Sequence, residues 1–188
     1  MHDAQQIFTS QVKKTFPKSF IGVKVLDVGS YDINGNNKYL FEKCDYTGVD
    51  IIDGKNVDIV SKGHEYDGES ESFDTVISTE CFEHDMYYEK TLKNIIRMLK
   101  PGGLFIFSCA APGRPEHGTL RTTPQDSGVT LTNNKNDPDW GKWQNYYKNL
   151  TEDDIKKSID INVFGQHQFY YAPAPIADLY FWGKKNGK

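Results

Sequence analysis

Short apolar runs broken by polar turns recur along residues 20–110. Residues 24–28, 45–50, 57–60, 73–78 and 104–110 concentrate Val, Ile, Leu and Phe between polar segments, which predicts strands. The last is apolar on both faces, as a central parallel strand must be. Elsewhere the period lengthens to that of a helix. Ile7, Phe8, Val12 and Phe16 precede Pro17 and predict a leading helix over 4–16, and a short helix is expected over 36–43. Tyr88, Leu92, Ile95, Ile96 and Leu99 mark an amphipathic helix that ends before Pro101-Gly102-Gly103. Residues 62–72 are polar throughout and predict a surface loop.

After Ala110 the pattern changes. Residues 111–150 are rich in Pro, Gly, Thr, Asn and Asp until Trp140, Trp143, Tyr146 and Tyr147 appear at helical spacing, a burial signal before it is anything else. A connection this long inside a compact unit predicts a lid. Thr151 with Asp154 reads as an N-cap pair opening a last helix to about residue 159. Residues 166–172 and 178–182, either side of Pro173-Ala174-Pro175, read as an antiparallel pair. The fold class expected is therefore α/β. It is a doubly wound, mostly parallel seven-stranded sheet with helices on both faces and a C-terminal antiparallel hairpin, forming one domain over 1–188 with 111–150 inserted.

A chain of 188 residues is long enough for one full core. A formal net charge of -4 and a pI near 5.7 argue against a nucleic-acid partner, whose phosphates call for a basic face. Cys44, Cys81 and Cys109 are odd in number and widely spaced, which fits reduced thiols. Met1 to Gln6 carry no basic start or apolar run, and no stretch approaches the roughly 20 apolar residues of a membrane span, so a cytoplasmic location is expected. His2, His64, His84, His117 and His167 show no metal-ligand spacing along the chain, and no metal is expected.

In an open α/β sheet, ligands bind beyond the carboxyl ends of the strands. The residues expected there are Asp27, Gly29 and Ser30, then Asp50 and Ile51, then His64 and Glu65, then Ser78, Thr79 and Glu80. No Lys or Arg lies between Gly29 and Asn37, and Asp32 adds a further acid. A pyrophosphate would be repelled there, and a ligand with net positive charge suited. Asp50, about twenty residues beyond the first strand, is placed to accept ribose hydroxyls, and Ile51 to pack on a base.

Four pieces, Val25-Leu26-Asp27-Val28-Gly29, Gly48-Val49-Asp50, Phe73-Asp74-Thr75-Val76-Ile77-Ser78 with Glu83-His84, and Leu99-Lys100-Pro101-Gly102-Gly103, stand in a telling order. Their order and spacing resemble the class I S-adenosyl-L-methionine-dependent methyltransferases. The resemblance implies that Asp27 holds the methionine ammonium region and that Gly29 and Ser30 let the backbone approach the cofactor, with Gly35 the next glycine of the turn. It further implies that Asp50 binds ribose, that Gly63 and His64 contact adenine, and that Ser78 to Glu80 floor the methyl group. The sequence departs from that family's glycine-rich turn, with Tyr31 and Ile33 where glycines are usual. Two other readings stay open: a nicotinamide-dependent oxidoreductase, which Tyr31, Asp32 and Ile33 oppose, and a non-catalytic relative that binds a ligand.

Methyl transfer needs a base only when the acceptor is protonated at neutral pH. His84, beside Glu83 at the start of the amphipathic helix, is the candidate base, although both residues could simply finish a turn. Arg114, His117 and Arg121 in the connection are candidates for recognising a small-molecule or sugar-type acceptor. The oligomeric state has no signature in the sequence.

Overall fold

The structure, a computed structural model, describes residues 3–187. His2 lies outside the described residues. Strands β1 (Lys24–Val28), β2 (Asp45–Asp50), β3 (Ile59–Val60), β4 (Phe73–Thr79) and β5 (Leu99–Ala110) pair in parallel. The final two, β6 (Phe164–Tyr171) and β7 (Asp178–Lys185), pair antiparallel with each other, and β7 pairs antiparallel with β5. The seven-stranded sheet has the order β3-β2-β1-β4-β5-β7-β6.

Side chains alternate across a strand, so each strand supplies both faces of the sheet. On one face Leu26, Val28, Val76, Phe105, Phe107 and Phe181 meet α2 (Tyr88–Met98) through Leu92, Ile95 and Met98. Ile155 of α5 (Glu152–Ser158) joins the same cluster. On the other face Val25, Ile77, Leu104 and Ile106 meet α1 (Asp3–Thr15) through Val12 and Phe8. Phe8 stacks on Tyr180 with ring centroids 4.7 Å apart, and Phe16, just beyond α1, meets Trp182 edge-on at 4.9 Å. Helices thus cover both faces, and β1, β4 and β5 are apolar on both sides because both sides are dry. Each such side chain, fully buried, contributes about 1.5–3 kcal/mol.

The helical complement is leaner than the alternation suggested. The helix expected over 36–43 is a single 3-10 turn, Lys38–Leu40. The polar residues ahead of it bond locally instead of propagating a helix: Asn36 accepts from the Lys38 amide through Oδ1 and donates to Asp32 through Nδ2. No helix stands between β2 and β3 or between β3 and β4 among the described residues. The third strand shortens to two residues. Strand β5 starts earlier than expected, with Leu99 already paired to Phe73, so Pro101-Gly102-Gly103 lie inside it across a shift in register. In the long connection the structure holds two one-turn helices, α3 (Gly128–Leu131) and α4 (Trp140–Trp143). Trp140 and Trp143 are buried with Ile52, the packing role that helical spacing predicted.

The expected cap at Thr151 is a reciprocal capping box. The Asp154 amide donates to Thr151 Oγ1, and the Thr151 amide donates to Asp154 Oδ2. Thr151→Ala removes one of these bonds and the cap at the N-terminus of α5, and should lower stability by about 1 kcal/mol in urea unfolding. An unchanged midpoint would show that the box adds nothing to the packing of Ile155.

Candidate functional site

Strand order reverses between β1 and β4, where chain connections leave in opposite directions from neighbouring strands. At the carboxyl ends of these strands lies a cavity of about 540 Å³. Its volume suits a metabolite-sized ligand. Asp27, Gly29, Ser30 and Asp50 line one end, Thr79, Glu80 and Cys81 the middle, and His84, Arg114 and His117 the other.

Asp27 is buried at the end of β1. Its Oδ2 accepts from the Tyr46 hydroxyl at 2.5 Å and from Asn56 Nδ2 at 3.4 Å, while Oδ1 is buried without a hydrogen-bond partner. Burial, with Asp50 nearby, pushes its pKa up to about 7. Asp50 accepts from the Tyr31 and Ile52 amides at 2.9 and 3.3 Å, and burial raises its pKa to about 6. The Ser30 hydroxyl and the side-chain Oδ1 of Asn37 are likewise buried without partners at this end. The acids are therefore half-prepared for ligand donors.

The turn after β1 shows why it manages without the usual glycines. Gly29 has φ +79, and a Cβ there would lie 2.5 Å from Cys81 Cβ and Sγ, so glycine is required. Tyr31, at a position where glycine is usual, has its ring against Gly54 and Gly128, where added Cβ atoms would sit 2.3 and 2.8 Å from it. Asp32 does not add free charge to the cavity. Lys55 pairs with it at 2.7 Å, Gly35 N donates to it at 2.6 Å, and the Lys55 bond is the main reason its pKa falls to about 2.

At the far end the rings of His84, His117 and Tyr147 meet pairwise, with centroids 5.0–5.4 Å apart. Burial and His117 drive the His84 pKa down to about 3, which makes it a far weaker base than the ordinary imidazole expected from sequence. Burial also lowers that of His117. Glu83 is fully buried: Oε1 accepts from the Ala110 amide at 3.2 Å, Oε2 has no hydrogen-bond partner, and burial with the charge of Glu80 raises its pKa well above the usual range. Glu80 adopts φ +52, a left-handed conformation uncommon outside glycine, and accepts from Ser108 Oγ at 2.7 Å.

Of the residues expected from sequence, Asp27, Gly29, Ser30, Gly35, Asp50, Ile51, Gly63, Glu80, His84, Arg114 and His117 line the cavity. Four stand elsewhere, as does Glu65, which is exposed beside Lys62. The Ser78 hydroxyl donates to Val28 O at 2.8 Å and braces β4 against β1, so Thr79 takes its place on the floor. His64 turns its ring to Tyr87, with centroids 4.6 Å apart. Arg121 is exposed and pairs with Glu116 at 2.9 Å, and Glu83 sits behind the lining. Arg114 lines the cavity but bonds to Asp178 Oδ1 and Ile176 O. Sequence reasoning missed Asn37, Cys81 and Trp143, because each comes from a segment with no ligand-type spacing.

The description "Methyltransferase domain" belongs to the family whose pattern matches residues 1–148. No individual curated protein matches in sequence. Among solved structures, the Haemonchus contortus phosphoethanolamine N-methyltransferase 2 complex with phosphomonomethylethanolamine and S-adenosylhomocysteine is similar with a TM-score of 0.62 at 16% identity. That match covers 96% of this chain and 52% of the worm enzyme, so the chain spans about half its length. The Burkholderia thailandensis 1,6-didemethyltoxoflavin-N1-methyltransferase, with 1,6-didemethyltoxoflavin and S-adenosylhomocysteine bound, gives 0.60 at 19% identity, covering 98% of this chain and 83% of that one. With its sheet order, its strand-end acids and this match in hand, the chain belongs to the methyltransferase domain family, in its class I, S-adenosylmethionine-dependent form.

Proposed function

We propose that the protein is an S-adenosyl-L-methionine-dependent methyltransferase acting on a small, hydroxylated, sugar-like acceptor. The observation that carries this reading is the buried pair Asp27 and Asp50 on adjacent strand ends, with Asp27 Oδ1 unpartnered. The donor set fits a cation-bearing nucleoside: Oδ1 of Asp27 suits an ammonium, and Asp50 keeps lone pairs beyond its two backbone donors for ribose hydroxyls. Ile51 and Gly63 offer an apolar edge and a close backbone approach to a base.

When bound, S-adenosylmethionine supplies a methyl group already activated by its sulfonium. The protein's part is then to position the acceptor and to exclude water. Residues 111–150 serve as the lid, since Glu116, Asp126 and Ser127 line the cavity together with the strand-end residues. Their polar groups, with His117, support an acceptor bearing hydroxyls. His84 acts by position rather than as a strong base. A nicotinamide reading fares worse, because Lys55, the cation at the turn, is tied to Asp32 and would leave a pyrophosphate facing Asp27 and Asp50. Cys44, Cys81 and Cys109 are free thiols, in keeping with a cytoplasmic location. Among the described residues no helix is long and apolar enough to cross a membrane.

Asp50→Ala should weaken S-adenosylhomocysteine binding at least tenfold, about 1.4 kcal/mol, in calorimetric titration. Affinity equal to the parent's would sink the ribose assignment. A parent that binds neither adenosyl ligand would overturn the reading itself, and methyl transfer to any acceptor would set aside the non-catalytic relative.

The buried acids give the binding a pH dependence. Asp27 faces Tyr46, Asn56 and Asp50, with Lys38 as the nearby cation. Its raised pKa means that the free folded protein holds a proton there below about pH 7, and an ammonium ligand must displace it. Affinity for S-adenosylhomocysteine should therefore rise from pH 5 to pH 8, by up to about tenfold per unit below the pKa, and in Asp27→Asn the rise above about pH 6, beyond the titration of Asp50, should flatten. The same raised pKa makes the free protein lose stability as pH climbs from the ordinary carboxylate range to about 7, and Asp27→Asn should remove the Asp27 share of that loss. A pH-independent affinity in the parent would show that Asp27 does not meet the ligand's charge.

A further inference from the structure

We propose that Glu83, His84 and His117 form a binding site for one divalent transition-metal ion at the acceptor end of the cavity. The inference deepens the methyltransferase reading and, for its role at the acceptor, rests on it. One ligand atom from each of the three residues lies within 4.8 Å of the others. Two imidazoles and one carboxylate form a donor set suited to zinc, manganese, iron or cobalt and a poor one for magnesium, which prefers oxygen alone. Ligand atoms sharing one zinc stand roughly 3 to 3.5 Å apart, so small rotations of three side chains would close the site.

Independent features of the site point the same way. The Glu83 side chain is fully buried, yet only Oε1 is bonded, and Oε2 is left without a hydrogen-bond partner. A buried carboxyl group with one oxygen unbonded is costly, and an ion that displaces its proton and binds it together with the imidazoles removes that cost. His117 has its tautomer fixed. Its Nδ1 lies 3.1 Å from Pro115 O, and a carbonyl can only accept, so Nδ1 carries the proton and Nε2 keeps its lone pair. This outer bond from a ligand imidazole to a backbone carbonyl is the usual support of a metal-binding histidine. The Tyr147 hydroxyl donates to the same carbonyl at 3.1 Å, which holds the loop carrying His117 against His84.

Three protein ligands leave further coordination positions open to the cavity, so the ion would offer a place for an oxygen of the acceptor. An acceptor with a hydroxyl or carboxylate near the methylated atom is the class that such a site selects.

The test uses tag-free protein stripped with a chelator and titrated calorimetrically with Zn²⁺, Co²⁺ and Mg²⁺ alone, with S-adenosylhomocysteine titrated in parallel. The parent should take up one equivalent of Zn²⁺ or Co²⁺, develop visible Co²⁺ absorption, and respond far less to Mg²⁺. His117→Ala, on the connection, and the isosteric Glu83→Gln should each weaken the uptake at least tenfold and lose the Co²⁺ bands. Folding of both variants is checked by their unfolding midpoints without metal. No uptake by the parent up to about 1 mM metal would overturn the site, as would uptake that neither variant weakens. The parallel arm separates the two readings: loss of S-adenosylhomocysteine binding with metal uptake intact counts against the cofactor assignment alone.

Discussion

A sheet covered on both faces by apolar side chains leaves polar groups nowhere to go but its edges and ends. Leu26, Val76, Phe105 and Phe107 point to one layer and Val25, Ile77, Leu104 and Ile106 to the other, all of them buried. A carboxylate in the middle of either set would cost several kcal/mol unless paired. The acids that the parallel strands carry therefore stand near strand ends, Asp45 and Asp74 at amino ends and Asp27 and Asp50 toward carboxyl ends, where β1 and β4 diverge and the backbone itself supplies donors. The same covering that stabilises the fold concentrates its chemistry in one cavity.

Placing acids there has an electrostatic consequence. Asp27 and Asp50 lie on neighbouring strands, both desolvated, and burial together with the charge of Asp50 raises the cost of ionising Asp27. Tyr46 and Asn56 offset part of that cost through Oδ2, but nothing bonds Oδ1. A ligand bearing positive charge relieves the conflict more fully than water in a narrow cavity can, and so binding and ionisation are linked. Glu83 faces a related conflict at the opposite end, between its burial and the charge of Glu80. The two ends differ in what surrounds the acid: hydroxyl and amide donors at Asp27, imidazole rings at Glu83.

The layered plan was legible because it depends on local period. Residues 24–28 and 45–50 begin and end where the sequence placed them, since apolar runs bounded by polar turns admit little freedom of register. The turn at 31–37 was not legible, because its shape depends on distant partners. Asp32 reads in sequence as a free acid and is in fact tied to Lys55, and Tyr31 fits only because Gly54 and Gly128 lack side chains. Arg114 and Arg121 look alike in a polar stretch, and only the fold separates the one on the cavity from the one paired with Glu116 at the surface. Likewise the histidines show no ligand spacing along the chain. The long connection, which carries no period around His117, is what brings His117 to His84 across 33 residues.

That contrast follows from how each part of the cavity is held. The cofactor end is built from strand ends, whose positions follow from sheet register and hence from pattern. The acceptor end is built from side-chain bonds made by a loop: Tyr147 and His117 to Pro115, Arg114 to Asp178, and Asn149 to the Arg114 carbonyl. Such bonds are individually weak and exchangeable, each worth about 1 kcal/mol. A fold arranged in this way can keep its cofactor end fixed while substitutions in 111–150 alter the acceptor end, because no residue of that connection is needed to set the register of β1, β2 or β4.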